Sequence, residues 1–282
     1  MIDTVLNFVA AVLLAPLMVG LVNKTKAFFA GRHGASVFQL YFDLAKLLRK
    51  SSPRSSSSTW IFDVAPSVSL VATLLGTLCI LLGTSSVFRF PHFVLFFFLG
   101  FYLFGAARFV SVLGARDIAS AFPDMGSARE VQFSAIVEAV LFAILAYLGA
   151  GHSDATPVVP RLLAVGAAFV VLLSENCRVP FDDPETHLEL TMIHEAMILD
   201  NAGPDLAFIL YGAALKLWAF AAFLCSLCGL GGFGLFAGVL ATGILVGVVE
   251  SSTARMRFKK TPFVLASAFA LAVLALVLEV LH

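Results

Sequence analysis

Long apolar stretches dominate the chain, and polar segments separate them. Eight of these stretches approach the length that crosses a bilayer as a helix, roughly 20 residues, and they cover 4–22, 64–83, 93–113, 131–149, 161–175, 206–228, 231–249 and 263–281. The fifth is the shortest. Lipid offers no hydrogen-bond partner to an open strand edge, and no alternating barrel pattern is present. The pattern therefore predicts an all-α, polytopic integral membrane protein with about eight transmembrane helices, in a single transmembrane domain over residues 1–282.

The composition excludes a water-soluble globule. Hydrophobic residues make up 60% of the 282 residues and charged residues only 13%, with a mean hydropathy of +0.98, whereas soluble domains carry roughly 25% charge. The formal net charge is +0, which gives no support for nucleic-acid binding. Four scattered cysteines are too few for a disulfide scaffold.

The basic residues orient the bundle, because Lys and Arg concentrate in cytoplasmic loops. They lie after the first, third, fifth and seventh spans, with Arg178 alone after the fifth, whereas the alternate loops hold only Arg89 and Arg161. We therefore expect both termini on the non-cytoplasmic side. The predicted cytoplasmic loops are about 23–62, 114–130, 176–205 and 250–262.

The first of these loops contains an amphipathic pattern over residues 36–50. A narrow polar stripe recurs at steps of three and four on a broad apolar helix, and it consists of Gln39, Asp43, Lys46 and Lys50. Ser36 is the predicted N-cap. Such a helix lies either in the membrane interface or beneath a partner protein, and the sequence leaves both open. The Ser-rich stretch 51–59 that follows is typical of a flexible connector.

The loop after the fifth span is acidic, against the bias of the other cytoplasmic loops. Between residues 175 and 205 a single cation, Arg178, faces eight acids: Glu175, Asp182, Asp183, Glu185, Glu189, Glu195, Asp200 and Asp205. The run 183–185 predicts a helix start, with proline in the first turn and acids at the positive end. His187 and His194 follow two turns apart. The loop is either a proton-handling site or a solvated acidic face.

No metal or nucleotide motif accompanies these groups. His194-Glu195 lacks the second histidine of a zincin. Cys225 and Cys228 lie at the end of an apolar span, where packing is the simpler interpretation. Neither a phosphate-binding loop nor a nucleophile elbow is present. We therefore expect no metal ligand, no catalytic residue and no cofactor in this chain.

Charges inside the predicted spans indicate function, because they are costly in lipid. Glu138 and Lys216 lie within the fourth and sixth spans, at depths expected to be similar. We expect them to belong to one buried polar track, paired directly or through water. Residues that would lead to it or extend it are Glu130, Ser134, Glu175 and Glu250. Alternatively, a buried ion pair serves only helix–helix specificity.

Three segments carry a family resemblance. They are Gly31-Arg32-x-Gly34 with Gln39-x-x-x-Asp43-x-x-Lys46-Leu47, Gly126-Ser-Ala-Arg-Glu130, and the run from Glu175 to Glu195 with its DDPxTHLELTMIHE core. Across the whole chain the sequence resembles subunit 1 of complex I, the proton-pumping NADH:quinone oxidoreductase. It resembles more closely the equivalent subunit of group 4 membrane-bound NiFe hydrogenases, the formate hydrogenlyase and hydrogenase-4 branch.

The resemblance implies a non-catalytic membrane-anchoring and proton-coupling subunit in a prokaryotic cytoplasmic (inner) membrane. The implied partners are hydrogenase-like large and small subunits, a ferredoxin-like iron–sulfur subunit and antiporter-like membrane subunits, with the Fe–S clusters and the NiFe centre in the partners. Residues implied to contact the peripheral arm are Arg32, Gln39, Asp43, Lys46, Arg178, Asp182 and Asp183. Those implied to line the chamber or the proton pathway are Glu130, Glu138, Glu175, Glu189, His187, His194, Glu195, Asp200, Lys216 and Glu250.

Two departures keep quinone chemistry open. Phe181 follows Pro180 as in the quinone-reducing branch, and the Ser-rich stretch replaces an acidic residue common after Lys46 in the family. The alternative is therefore subunit 1 of a complex I-like quinone oxidoreductase, lining the quinone chamber. A stand-alone proton-coupled transporter is disfavoured by the missing internal repeat. A purely structural anchor is disfavoured by Glu138 and Lys216.

Overall fold

A computed structural model describes residues 2–54, 58–84, 92–150, 158–182 and 192–281. Its elements are α1 Ile2–Phe29, α2 Gln39–Leu47, α3 Trp60–Gly83, α4 His92–Asp117, α5 Ala121–Ala150, α6 Val158–Glu175, α7 His194–Ile198, α8 Gly203–Leu227, α9 Phe233–Ser252, a 3₁₀ turn Phe258–Lys260, and α10 Thr261–Val280. Eight of the helices, all but α2 and α7, are long and apolar enough to cross a membrane. This confirms the predicted polytopic all-helical architecture, and no strand occurs in the described ranges.

Contacts between the connecting segments place them at one end of the bundle. Ser52 donates to the carbonyl of Ala202, and the amide of Met256 donates to the carbonyl of Pro180, each at 2.9 Å. We call this end, formed by the described parts of 30–59, 118–120, 176–202 and 253–260, the loop end. It brings together the segments that follow the first, third, fifth and seventh spans.

Helix α8 forms the centre of the bundle. It is the most buried of the eight long helices, and its aromatic side chains pack on those of α4. The rings of Phe101 and Phe223 meet edge to face with centroids 4.8 Å apart, and Phe104 stacks on Phe220 at 5.7 Å. The dense phenylalanine content of the sequence thus fills the contact between these two helices.

Helices α3 and α4 are joined at the loop end by a shared cap. The carboxylate of Asp117, the last residue of α4, accepts hydrogen bonds from the backbone amides of Thr59 and Phe62 at 2.7 and 3.2 Å. The Thr59 hydroxyl in turn accepts from the amide of Ile61. Because the first amides of a helix have no intrahelical acceptor, the carboxylate stabilises the start of α3.

The amphipathic helix is shorter than the pattern predicts. It spans Gln39–Leu47, with Phe38 rather than Ser36 at the N-cap, and the carbonyl of Ser36 instead accepts from the amide of Gln39 in a turn. The physical reason is a tertiary contact with α1. The carbonyl of Val37 lies so close to Gly20 that a Cβ at position 20 would collide with the carbonyl oxygen. The backbone before Phe38 therefore follows the surface of α1 instead of starting a helix.

The predicted flexible connector is anchored where it is described. Ser52 bonds the corner before α8, and the Arg54 guanidinium lies 3.1 Å from Asp63 and 2.8 Å from Asp205. At that corner Gly203 adopts φ +58°, and a Cβ there would lie 2.7 Å from the carbonyl oxygen of Ser51. Polar side chains thus tie the described ends of this segment to α3 and α8. The predicted helix start at 183–185 lies outside the described residues.

Candidate functional site

A single arginine inside the bundle organises three carboxylates. Arg108 of α4 lies 3.2 Å from Glu130 and 3.3 Å from Glu138, both on α5, and it contacts Glu175 at the end of α6. The two α5 acids are eight residues apart, about two helical turns, so they face the same side. The guanidinium has five donors in a planar fork, which suits simultaneous contact with several carboxylates.

A lysine completes the group from α8. The Lys216 ammonium lies 2.8 Å from Oε2 of Glu175, and Arg108 donates to both oxygens of the same carboxylate, so Glu175 is held between two cations. We call these five residues, Arg108, Glu130, Glu138, Glu175 and Lys216, the charge cluster. Their four parent helices are far apart in sequence, so only the folded bundle assembles it.

The charge cluster differs in two ways from the polar track predicted for Glu138 and Lys216. Glu138 and Lys216 do not pair with each other, because Arg108 and Glu175 lie between them. In addition, the Glu138 side chain is 51% exposed on this chain and lines a cavity together with residues of α4 and α5. The Ser134 hydroxyl donates within its own helix, to the carbonyl of Val131 at 3.0 Å.

Burial within the cluster is uneven. The side chains of Glu175 and Arg108 are only 2% and 9% exposed, and Lys216 is 18% exposed. Removing such charges from water is costly unless each has a close counter-charge. The cluster holds three carboxylates against two cations, and Glu138 is its most exposed carboxylate, with one cation contact.

Two cavities border the cluster, and a third lies next to them toward the loop end. The side cavity, about 320 Å³, is lined mainly by aromatic side chains of α4 and α5 and ends at Glu138. The central cavity, about 100 Å³, contains Glu130 and Lys216, and the loop-end cavity, about 210 Å³, reaches Arg178. Arg108 and Glu175 line both the side and the central cavity, so their ion pair forms the wall between the two.

Residues after α6 connect the central cavity with the loop-end cavity. Asn176, Cys177 and His194 line both. Burial lowers the pKa of His194 from its ordinary value, and Glu195 opposes that effect. Burial also raises the pKa of the Cys177 thiol well above its ordinary value, and the nearby Glu130 adds to this. Both groups are therefore neutral near pH 7, and the imidazole nitrogen Nε2 is buried with no hydrogen-bond partner among the described residues.

A second set of ion pairs closes the loop end. Asp182 is buried, and its carboxylate accepts from the amides of Ile193 and His194 at 3.0 and 3.1 Å while contacting Arg255 at 3.1 Å. The carboxylate of Glu250, fully buried at the end of α9, lies near two cations, Lys26 at 3.2 Å and Arg178 at 3.5 Å.

The remaining predicted residues are placed as follows. Arg32, Gln39 and Lys46 are exposed at the loop end, and Asp43 is partly exposed and bonded by Gln39 at 3.0 Å. Glu195 lines the loop-end cavity, and Asp200 is exposed outside it. Asp183, His187 and Glu189 lie outside the described residues. Asp182 and Arg178, implied as contacts of a peripheral arm, are engaged within the chain.

Sequence reasoning missed Arg108, although a signal for it was present. It is an arginine within the third apolar stretch, 93–113, and the rule that singled out Glu138 and Lys216 applies to it equally. Among the described residues no group of three or more His, Cys, Asp or Glu side chains is arranged to hold a metal ion. Cys225 is buried with its sulfur 3.8 Å from the Thr242 hydroxyl, and Cys228 is exposed.

Comparisons with known proteins identify the relatives. The chain is 27% identical to formate hydrogenlyase subunit 4 of Escherichia coli (strain K12), over 93% of each chain. It is 26% identical to hydrogenase-4 component C of the same organism, over 74% of this chain and 69% of that one. Among solved structures, the chain is similar to a chain of the membrane-bound sulfane sulfur reductase, an archaeal respiratory membrane complex. The alignment covers 99% of this chain and 98% of that one, with a TM-score of 0.79 and 17% sequence identity. The NADH dehydrogenase family model matches residues 2–280, and the chain therefore belongs to this family, that of complex I subunit 1.

Proposed function

We propose that this chain is the membrane-anchoring and proton-coupling subunit of a multi-subunit membrane-bound NiFe hydrogenase of the formate hydrogenlyase or hydrogenase-4 type. The observation that carries the coupling role is the charge cluster, set between a cavity at the loop end and a cavity at the side of the bundle. The names of the two Escherichia coli relatives support the hydrogenase type.

The proposed proton route starts at the loop-end cavity and passes His194 and Cys177 into the central cavity. From there Glu130 and Glu175 lead to Glu138, which opens to the side cavity. An arginine side chain does not release its proton in proteins, so Arg108 is not a carrier on this route. Its role is to compensate the charge of the carboxylates, and with Glu175 it forms the wall between the two cavities.

The proposed docking face is the loop end, oriented to the cytoplasm of a prokaryotic inner membrane by the concentration of basic residues there. Arg32 and Gln39 are exposed on it. Hydrogenase-like large and small subunits and a ferredoxin-like subunit would bind this face and carry the NiFe centre and the Fe–S clusters. Antiporter-like membrane subunits would receive protons beyond Glu138.

The test uses the purified complex, captured through a tag on this chain and reconstituted in vesicles. Nickel and iron content and hydrogen evolution establish the enzyme type, and a pH-sensitive dye measures proton movement per hydrogen formed. We expect Glu138→Gln and Lys216→Met to lower that ratio. The control is Glu279→Gln, a buried acid of α10 outside the charge cluster, which should leave the ratio unchanged. Full coupling in both cluster variants would contradict the proposal.

Quinone binding is the second candidate, because the loop-end cavity offers hydrogen-bond donors for a quinone carbonyl. Asn23, Asn176, Arg178 and His194 line it beside apolar residues of α1, α2 and α8. Its volume of about 210 Å³ lies below the roughly 300 Å³ at which ligand pockets begin, which ranks this candidate second. Quinone reduction by the purified complex without nickel, abolished by Leu210→Trp, would favour it.

A further inference from the structure

We propose that the outer face of α2 binds the headgroup of an anionic phospholipid. The site is a shallow groove of about 380 Å³, lined by Phe42, Ala45, Lys46, Arg49 and Lys50. The proposal is independent of the coupling role, because none of these residues contacts the charge cluster or its cavities.

The inner face of α2 is fixed against the bundle, which determines what its outer face presents. The Tyr41 hydroxyl donates to the carbonyl of Leu13 in α1 at 2.5 Å, and Leu40 packs on the core. The turn before the helix lies on α1 at Gly20. With these contacts on one side, Phe42 and Lys46 point to the other.

The groove combines an apolar floor with a basic end. Phe42, Ala45 and Lys46 lie three or four residues apart and so share one side of the helix. The chain then continues in turns beyond Leu47, with the amide of Arg49 bonded to the carbonyl of Lys46 and that of Lys50 to Leu47. These turns bring the two further cations next to Lys46.

The three cations are free to bind an external anion. In the described parts of the chain no carboxylate lies within ion-pair distance of Lys46, Arg49 or Lys50, whereas Arg54, the next cation along the chain, holds two acids. The nearest acid on the helix, Asp43, accepts from Gln39. A phosphate next to acyl chains matches this arrangement of charge beside an aromatic floor.

Exposed apolar side chains favour a lipid over a protein as the occupant. Phe38, Phe42 and Leu48 are each more than half exposed on a helix that packs against two membrane-spanning helices. Such a helix, with aromatic residues beside cations, is typical of one lying in the plane of the interface. Long basic side chains there extend to the headgroups while their stems cover apolar surface. Lys46, implied above as a contact of a peripheral subunit, is assigned to the lipid.

The experiment measures lipid preference on the intact complex. The tagged complex is delipidated in detergent and titrated with dioleoyl phosphatidylglycerol and, separately, dioleoyl phosphatidylcholine, and bound lipids are counted by native mass spectrometry. We expect the wild type to retain phosphatidylglycerol preferentially. The triple variant K46Q/R49Q/K50Q should lose about a hundredfold in that preference. Phe42→Ala should reduce retention of both lipids and keep the preference.

The matched control removes the same charge elsewhere at the loop end. Arg257, Lys259 and Lys260 are also exposed, and R257Q/K259Q/K260Q should keep the wild-type preference. Equal loss in both triple variants would show a nonspecific charge effect and overturn the proposal. An unchanged lipid preference with release of the peripheral subunits from the α2 variant would also overturn it, and would assign the face to protein docking.

Discussion

A guanidinium inside a membrane bundle is stable only where anions surround it, and Arg108 has three carboxylates within contact. Arg108→Met would leave Glu175 almost completely buried with only Lys216 as counter-charge. Breaking a buried pair by removing one partner typically costs about 3–5 kcal/mol. We therefore expect a marked fall in the unfolding temperature of the purified protein in detergent, measured by fluorescence or static light scattering.

An exposed ion pair provides the control for that substitution. Arg116 lies 2.8 Å from Asp124, but the two side chains are 61% and 53% exposed, and solvent-exposed pairs contribute little. Arg116→Met should leave the unfolding temperature close to that of the wild type. Arg108→Lys should fall between, because it keeps the charge and loses the fork. Equal effects at both arginines would contradict a stabilising role of the charge cluster.

The pH dependence of stability contains a contribution from His194. Burial lowers the pKa of the folded imidazole below its unfolded value of about 6.5, so below that pH the unfolded chain binds more protons than the folded one. The contribution is therefore fully present above about pH 6.5 and is lost as the pH falls toward the folded pKa. The charged groups that act on the imidazole are Glu195, Lys216, Asp182 and Arg178.

His194→Gln tests this sign, because glutamine is polar and does not titrate. Unfolding temperatures between pH 8 and pH 5.5 should fall less steeply for the variant than for the wild type. His92→Gln, at an exposed position at the start of α4, should keep the wild-type slope. An identical slope in all three proteins would show that His194 is equally protonated in the folded and unfolded states.

At the scale of one helix, α1 contains a proline. Because proline has no amide hydrogen, one backbone carbonyl of the helix lacks its usual intrahelical donor. Pro16 cannot donate to the carbonyl of Val12, four residues earlier. The Tyr211 hydroxyl of α8 donates to that carbonyl at 2.7 Å. A buried acceptor without a partner is unfavourable, so this tyrosine compensates for the proline from a neighbouring helix.

A double-mutant cycle measures that compensation. Tyr211→Phe should destabilise the protein by about 1 kcal/mol in the wild-type background. In a Pro16→Ala background the cost should be much smaller, because the amide of the introduced alanine can donate to the carbonyl of Val12 within the helix. Chemical denaturation of the four proteins in one detergent gives the coupling energy. Additive effects would show that the hydroxyl and the proline are unrelated.

Some elements of the fold are determined by neighbouring residues in the sequence, and others by contacts between distant residues. The eight spanning helices follow from hydrophobicity over about 20 residues, a local property, and the sequence predicts all of them. The start of α2 depends on a contact between Val37 and Gly20, which no local pattern records. The charge cluster is intermediate, since each charge is visible in its span but its partners depend on how α4, α5, α6 and α8 pack.

For the whole molecule, the loop end is one network that joins segments distant in sequence. Phe258, in the turn before α10, carries two guanidinium groups against its ring, Arg129 of α5 at 4.8 Å and Arg255 at 5.2 Å. Arg129 also donates to the carbonyl of Met192. The ring and Asp182 thus connect the segment after α9 with α5 and with the segment before α7. Because Asp182 also lines the loop-end cavity, a substitution that loosens one of these segments is expected to change the packing around that cavity.

Two substitutions at Asp182 separate the two halves of this network. One carboxylate oxygen contacts Arg255, and the other accepts from the amides of Ile193 and His194. Asp182→Asn keeps an oxygen for the amides but loses the charge that attracts the arginine. Hydrogen–deuterium exchange should therefore rise in residues 253–260 and stay low at residues 193–194. Asp182→Ala should raise exchange in both segments, because both acceptors are lost.

Arg257→Gln, a substitution of an exposed cation in residues 253–260, should change exchange in neither segment. If Asp182→Asn instead loosened residues 193–194 and left 253–260 protected, the pair with Arg255 would not be what holds the segment after α9 against the loop-end cavity.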